Sequence, residues 1–310
     1  MEFQSSPAPQ PGEFGHRFAA IDVGSNALRL LFMQVLDEDG EPCFRKVSLF
    51  RMPLRLGTEA FISGQLSAAT AERLVNSLKA FRLLMEAWQP LRWRACATSA
   101  LRSLANADEL ARQIREDAGL DLELITGSEE AHILLANAGQ AGLDRAGNYL
   151  YTDVGGGSTE LTLLVPGRAA QSRSFPVGTV RLLTERTDPG VWQEMAQWLR
   201  EHRPRGPVIT IGSGGNINKL VSLVGLKPDH SLSQLRIQRQ LERISGLTVS
   251  QRIRQLGLRP DRADVLPHAL RIYLFVMQTA RSTWMQVPQA GLADGLIRQL
   301  YHEWANSRQS

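Results

Sequence analysis

Two segments of the chain carry one pattern, and no other feature restricts the possible folds as much. In Arg17–Val35 (RFAAIDVGSNALRLLFMQV) an apolar run ends at Asp22, Gly24-Ser25-Asn26 turn the chain, and an alternating run leaves. In Tyr149–Val165 (YLYTDVGGGSTELTLLV) an apolar run ends at Asp153, Gly155-Gly156-Gly157 turn the chain, and Leu161, Leu163 and Val165 alternate away. Both read as strand, tight turn, strand. Aligning Asp22 with Asp153 matches Val23 with Val154, Gly24 with Gly155, Leu30 with Leu161 and Phe32 with Leu163. This is read as an internal repeat: two domains, each opening with a hairpin. At 310 residues the chain is long enough to bury two cores.

The turns point to an anionic ligand. Glycine admits backbone conformations closed to other residues and lets a ligand approach the main chain. Successive N–H groups in such a turn form an anion-binding concavity, and a carboxylate at a strand end suits Mg²⁺, which takes oxygen ligands. Asp153, Asp22 and Glu160 are therefore candidate metal ligands. Ser25, Asn26, Ser158 and Thr159 are candidate donors to phosphate oxygens. A further turn, Gly212-Ser213-Gly214-Gly215, follows a strand over 207–211 and opens a helix. Arg29 and Arg102 follow turns at strand ends, where a guanidinium can bind phosphate oxygens bidentately. There is no GxxxxGK[ST], no GxGxxG after a strand, and no HExxH or paired cysteine motif. The P-loop, Rossmann and zinc readings therefore fail.

Elsewhere strands and helices alternate. Residues 44–66 read as strand and loop, 67–88 as a core-facing helix and 92–98 as a strand. Asn106 is read as the cap of a helix to about 118, and 122–125 as a strand. Gly178-Thr179 reads as a turn, 191–202 as a helix, 231–257 as two helical pieces split at Gly246, and 262–284 as one long helix with Pro267 early in it. Gly291 opens the last helix, with Leu296, Leu300 and Trp304 on one face. Thr126 and Glu129 form a capping box. Glu130 is not needed by that box, and its place in the first turn favours the ionised form. Beside phosphates, such a carboxylate can take a proton from an attacking water. The pattern predicts an α/β protein of mixed sheets flanked by helices, with the site in the cleft between two domains.

Composition narrows the partners. A net charge of +4 suits a polyanionic substrate, and no Lys/Arg run marks a nucleic-acid-binding arm. The only cysteines, Cys43 and Cys96, make neither a disulfide framework nor a metal cluster, so a reducing cytoplasm is expected. No apolar run approaches the roughly 20 residues that span a bilayer, so no membrane is expected. Residues 1–16, polar and rich in Pro and Ser, read as a disordered tail.

The segments AIDVGSNALRLL, ATSALRSLANADEL, ELITGSEEAHIL, YTDVGGGSTELTLL, TIGSGGNINKL, RADVLPHAL and GLADGLI occur in that order. Over about residues 17–305 the chain resembles the exopolyphosphatase / guanosine pentaphosphate phosphohydrolase (Ppx/GppA) family. The resemblance implies two actin-like (ribonuclease H-like) domains with an active site between them. It places domain I at 17–133, with the helix at about 292–307 packing back on it, and domain II at 134–291. It implies hydrolysis of a terminal phosphoanhydride with Mg²⁺, on inorganic polyphosphate or on the 5′ γ-phosphate of pppGpp. It assigns Glu130 as catalytic base, with Asp153 and Glu160 at the same centre. Phosphate binding falls to Gly24, Ser25, Asn26, Arg29, Arg102, Gly155, Gly156, Gly157, Ser158, Thr159, Gly212, Ser213, Gly214 and Gly215.

Three positions depart from the family's usual pattern. Ala27 stands where a second serine is common, Ala293-Asp294 where Arg-Glu is common, and His268 where a glycine follows the proline. These put substrate preference in question, not Glu130 or Asp153. The chain reads as a short form without a helical C-terminal extension, and the reading leaves room for a homodimer. The rival expectation is a non-catalytic sensor that binds guanosine penta- or tetraphosphate.

Overall fold

The computed structural model describes residues 15–38, 41–137, 146–226 and 231–308. The first half runs β1 (His16–Val23), β2 (Leu28–Glu38), β3 (Glu41–Met52), α1 (Leu56–Ser63), α2 (Ala68–Trp88), β4 (Arg92–Ala97), α3 (Ser99–Arg102), α4 (Ala107–Ala118), β5 (Glu123–Leu124) and α5 (Gly127–Leu135). The second half runs β6 (Asn148–Val154), β7 (Thr159–Leu164), β8 (Gln171–Phe175), α6 (Thr179–Leu183), α7 (Gly190–His202), β9 (Val208–Ser213) and α8 (Gly215–Leu223). It ends with β10 (Leu232–Ser233), α9 (Gln234–Ser245), α10 (Val249–Leu256), α11 (Pro260–Ala263), α12 (Leu266–Ala280), β11 (Trp284–Gln286) and α13 (Leu292–Asn306).

The repeat is a repeat of topology. One sheet has the order β3-β2-β1-β4-β5 and the other β10-β11-β9-β6-β7-β8. In the first, β1 is antiparallel to β2 and parallel to β4; in the second, β6 is antiparallel to β7 and parallel to β9. The hairpin registers are equivalent: Asp22 lies opposite Arg29 and Val23 opposite Leu28, as Asp153 lies opposite Glu160 and Val154 opposite Thr159. Each turn closes on the same bond, Gly24 N–H to Ala27 O at 3.3 Å and Gly155 N–H to Ser158 O at 3.0 Å. Ala27 is thus the structural counterpart of Ser158.

The continuous apolar run of β1 follows from burial on both faces. Ala19, Ile21 and Val23 pack with the α2 and α4 core, whereas Phe18 and Ala20 pack under α13 with Leu296, Ile297, Leu300 and Tyr301. The last helix of the chain therefore covers the first sheet. The second sheet has its own core, with Tyr273, Met277 and Leu270 of α12 fully buried among Leu161, Phe175 and Leu220.

Several local expectations change. Residues 56–63, within the stretch read as strand and loop, form α1, a short helix with weak propensity pinned by Gly57 N–H to Ser25 O at 2.8 Å and by burial of Leu56 and Phe61. Gly178 does not end a simple turn but caps α6. The long helix over 262–284 is broken into α11 and α12, with Pro267 in the first turn of α12, where a missing N–H does no harm. Its far end is β11, drawn into the sheet by pairing with β9. Asn106 flanks α4 without a side-chain cap bond. Most of the expected N-terminal tail (residues 1–14) lies outside the described residues, but its last residue, His16, is in β1 with its ring 4.1 Å from that of Trp304. Among the described residues no helix is long and apolar enough to cross a membrane.

Candidate active site

The strand ends carrying Asp22 and Asp153 point into one cleft of about 280 Å³ between the two sheets. The two hairpin turns face each other across it so closely that a Cβ on Gly156 would lie 2.7 Å from Ser25 Cβ. Only glycine permits that approach. Gly214, at φ +101°, lets the chain leave β9 against Asp153, with its own Cβ position 3.2 Å from Asp153 Oδ1.

Three carboxylates converge on the cleft. Glu130, Asp153 and Glu160 each present an oxygen within 4.8 Å of the others. Two different devices place them. Asp153 and Glu160 are direct cross-strand partners in the β6–β7 hairpin. Glu130 stands in the first turn of α5, which is fixed by the reciprocal bonds Thr126 N–H to Glu129 Oε2 at 2.6 Å and Glu129 N–H to Thr126 Oγ1 at 3.2 Å. Asp153 accepts from Ser213 Oγ, and Glu160 Oε1 accepts from Ser174 Oγ at 2.9 Å. The Oε2 atoms of Glu130 and Glu160 are buried with no hydrogen-bond partner among the described residues. Arg102 stands 3.7 Å from Glu130 Oε2, while its Nη1 donates to the Ile125 carbonyl.

The electrostatics of the trio are unfavourable as it stands. Burial first, then the Glu160 and Asp153 charges, push the Glu130 carboxyl well above the usual range. Burial first, then Asp153, raise Glu160, and burial raises Asp153 against the opposing bond from Ser213. Buried oxygens without partners and mutually repelling carboxylates are what a hard divalent cation would relieve, so the donor set fits Mg²⁺.

Asp22, the counterpart of Asp153, is placed differently. Its cross-strand partner is Arg29, whose Nη1 lies 2.6 Å from Asp22 Oδ2. The first hairpin therefore neutralises its own charge, and Asp22 stands outside the acidic trio. Asp22, expected as a metal ligand, is here the counter-ion of Arg29 and lines the same cleft.

The other candidates divide by position. Gly24, Ser25, Asn26, Arg29, Gly155, Gly156, Ser158, Gly214 and Gly215 line the cleft with Glu130 and Asp153. Thr159 does not: it is fully buried, and its hydroxyl donates to Val177 O at 2.6 Å. Gly212 sits in β9 against Met285, and Gly157 against Phe61 and Ser99, so both serve close packing. Ser213 acts on Asp153, and Arg102 acts on Glu130 and Ile125.

Sequence reasoning missed Arg51 of β3 and Arg262 of α11, which line the same cleft, as do Lys46 and Thr179. A Cβ on Gly215 would lie 3.1 Å from Arg262 Nη2 and 3.4 Å from Arg29 Nη2, so this wall carries guanidinium groups next to the turn that touches Asp153. Arg262 falls within the RADV segment, but nothing in its neighbours' spacing distinguishes it from a surface arginine. Asp294 is held by Lys46 Nζ at 2.6 Å and caps Gly291 N–H at 2.9 Å.

Residues 36–303 match the profile of the Ppx/GppA phosphatase family. Solved structures share the fold. A Ppx/GppA family member from Aquifex aeolicus is 24% identical at a TM-score of 0.72, covering 93% of this chain and 98% of its own. An exopolyphosphatase from Cytophaga hutchinsonii is 22% identical at a TM-score of 0.77, covering 94% and 98%. An exopolyphosphatase-like protein is 23% identical at 0.75, covering 94% and 99%. The two sheets thus belong to the mixed α/β fold that these structures share.

Proposed function

The chain belongs to the Ppx/GppA phosphatase family, and from that premise we propose that it hydrolyses terminal phosphoanhydride bonds, releasing orthophosphate from inorganic polyphosphate, from the 5′ γ-phosphate of pppGpp, or from both. One observation carries the reading: Glu130 and Asp153, two of a buried carboxylate trio in which Glu130 and Glu160 each leave an oxygen without a hydrogen bond, line one cleft with two glycine turns and the guanidinium groups of Arg29, Arg51 and Arg262.

The terminal phosphoryl group lies against the N–H groups of the Gly24–Asn26 and Gly155–Ser158 turns, with Ser25 and Ser158 as hydroxyl donors. Asp153 and Glu160 would hold Mg²⁺, which when bound neutralises charge on the phosphate oxygens. Glu130 accepts a proton from the water whose oxygen attacks the terminal phosphorus. The bridging P–O bond breaks, and its electron pair leaves with the shortened chain. Arg29 lies where it can stabilise that charge. Phosphoryl transfer needs mainly positioning and charge stabilisation of this kind. Lobes at 17–133 with 292–307, and at 134–291, would be the units that enclose the substrate. Two free cysteines, Cys43 and Cys96, suit a cytoplasmic setting.

The test is phosphate release from polyphosphate and pppGpp, with and without Mg²⁺, by the wild type and by Glu130→Gln. The variant should keep its circular dichroism spectrum and lose roughly 10²–10⁴-fold in rate, the scale of a general base. A wild type that binds guanosine tetraphosphate but releases phosphate from neither substrate would replace this reading with the sensor.

A further inference from the structure

The cleft holds an arginine that the proposed chemistry does not use. Arg51 lies near the end of β3, its side chain only 8% exposed. One nitrogen, Nη2, donates to Asp261 Oδ2. Nε and Nη1 are buried and have no hydrogen-bond partner among the described residues. A desolvated guanidinium that leaves two donors unmade is unfavourable by several times the worth of an ordinary hydrogen bond, unless something else fills them. Next to Asp261 in α11 is Arg262, which lines the same cleft and makes no ion pair among the described residues. Burial first, then Arg51 and Arg29, push its pKa down to about 10. This wall therefore carries Arg29, Arg51 and Arg262, with Asp22 and Asp261 as the ion-pair partners of the first two among the described residues.

The connections across the cleft matter here. Arg51 belongs to the first sheet and Asp261 to the element leading into α12 of the second. Asn26 Nδ2 also donates to Asp261 O at 3.0 Å, and Arg55 Nη2 lies 2.7 Å from Asp264 Oδ2. Asp261 is thus fixed by backbone and side chain together, an anion held in place beside an arginine with donors to spare.

We propose that Arg51 and Arg262 form a second anion subsite, for the phosphate groups on the leaving side of the substrate, and that Asp261 is the internal anion that occupies Arg51 until a substrate phosphate takes its place. The proposal rests on the phosphoanhydride reading above, and it names the ligand class as a linear chain of at least three phosphates. No bond is made or broken: Arg51 changes its partner from carboxylate to phosphate, and Nη2, once released by Asp261, pairs with the unfilled Nε or Nη1 on the same edge in the bidentate contact that a phosphate accepts and that one carboxylate oxygen does not fill. The Arg55–Asp264 and Asn26–Asp261 ties remain while the exchange occurs.

The test measures binding of sodium tripolyphosphate and of orthophosphate by calorimetry, in the full chain carrying Glu130→Gln so that nothing turns over. Asp261→Asn should bind tripolyphosphate about tenfold more tightly, and Arg262→Gln about tenfold more weakly, a factor typical of one charge-assisted contact. Orthophosphate, too short to reach the subsite, should change less than about threefold in both. With Glu130 intact, Arg262→Gln should lower kcat/KM for polyphosphate about tenfold, with a raised KM as part of that loss. Among the described residues Arg262 makes no ion pair that its loss would orphan, so its variant reads the subsite even if Asp261→Asn fails to fold. Tripolyphosphate affinity unchanged in Arg262→Gln, or weakened in a folded Asp261→Asn, overturns the subsite. Phosphate release by the wild type alongside unchanged affinities sinks the subsite alone, while tighter tripolyphosphate binding by Asp261→Asn without any release sinks only the hydrolysis.

Discussion

Glu160→Gln should make the metal-free protein more stable, although it removes a residue of the proposed centre. Glu160 is 2% exposed, faces Asp153 across the hairpin, and leaves Oε2 without a partner. Burial first, then Asp153, raise its pKa from 4.5 to about 7. A folded-state pKa above the unfolded value favours the protonated form in the fold. That stabilisation is complete below about pH 4.5 and is lost as pH rises through about 7. The rise corresponds to ~3 kcal/mol lost at pH 8, at about 1.4 kcal/mol per pK unit, and the loss belongs to the coupled trio rather than to one residue. Glutamine has nearly the same shape and no charge. Its oxygen can still accept from Ser174 Oγ, and its amide can donate to Asp153 or Glu130. Urea midpoints in a chelating buffer should therefore show the variant more stable by ~1–3 kcal/mol at pH 8 and no more stable than the wild type near pH 4.5. Added Mg²⁺ should stabilise the wild type more than the variant, because binding to the native state alone adds to stability. A variant less stable than the wild type in chelator at pH 8 would refute the account of the trio as mutually repelling acids awaiting a cation.

Two further outcomes follow from packing. A Cβ on Gly295 would lie 2.2 Å from Ile133 O and 2.9 Å from Ile133 Cγ2, so Gly295→Ala should push α13 off α5; the expected loss is at least ~2 kcal/mol in unfolding, the scale of overpacking, with reduced turnover because α5 carries Glu130, and wild-type stability and rate would contradict that contact. Cys96 is fully buried, and burial pushes its thiol up to about 12, whereas Cys43 is partly exposed. A disulfide reagent should accordingly titrate Cys43 in the native protein and Cys96 only after denaturation; fast reaction of both thiols would mean that the β1–β4 region opens readily.

Much of the architecture was legible because it is local or periodic. The matched hairpins around Asp22 and Asp153 could be aligned by eye, and the equal registers bear that alignment out, since strand pairing across a tight turn is set by spacing alone. The Thr126–Glu129 box and the Leu296–Leu300–Trp304 face were readable for the same reason. Residues 56–63 were not, because α1 owes its form to the Ser25 carbonyl and to a buried Phe61 rather than to its own propensity. The break before α12 and the strand β11 likewise depend on a sheet that accepts residues 284–286 at its edge.

The duplication, the glycine turns and the carboxylates at strand or helix ends are all readable in the order of residues. What those carboxylates do depends on the folded arrangement. Asp22 and Asp153 are equivalent in pattern, yet one faces Arg29 and is neutralised, while the other faces Glu160 and Glu130 and is not. Arg51 and Asp261, far apart in the chain, meet only because two sheets close on one cleft. The role of a charge is set by the charges and dipoles that lie opposite it in space, and no spacing along one chain segment encodes what another segment will bring there.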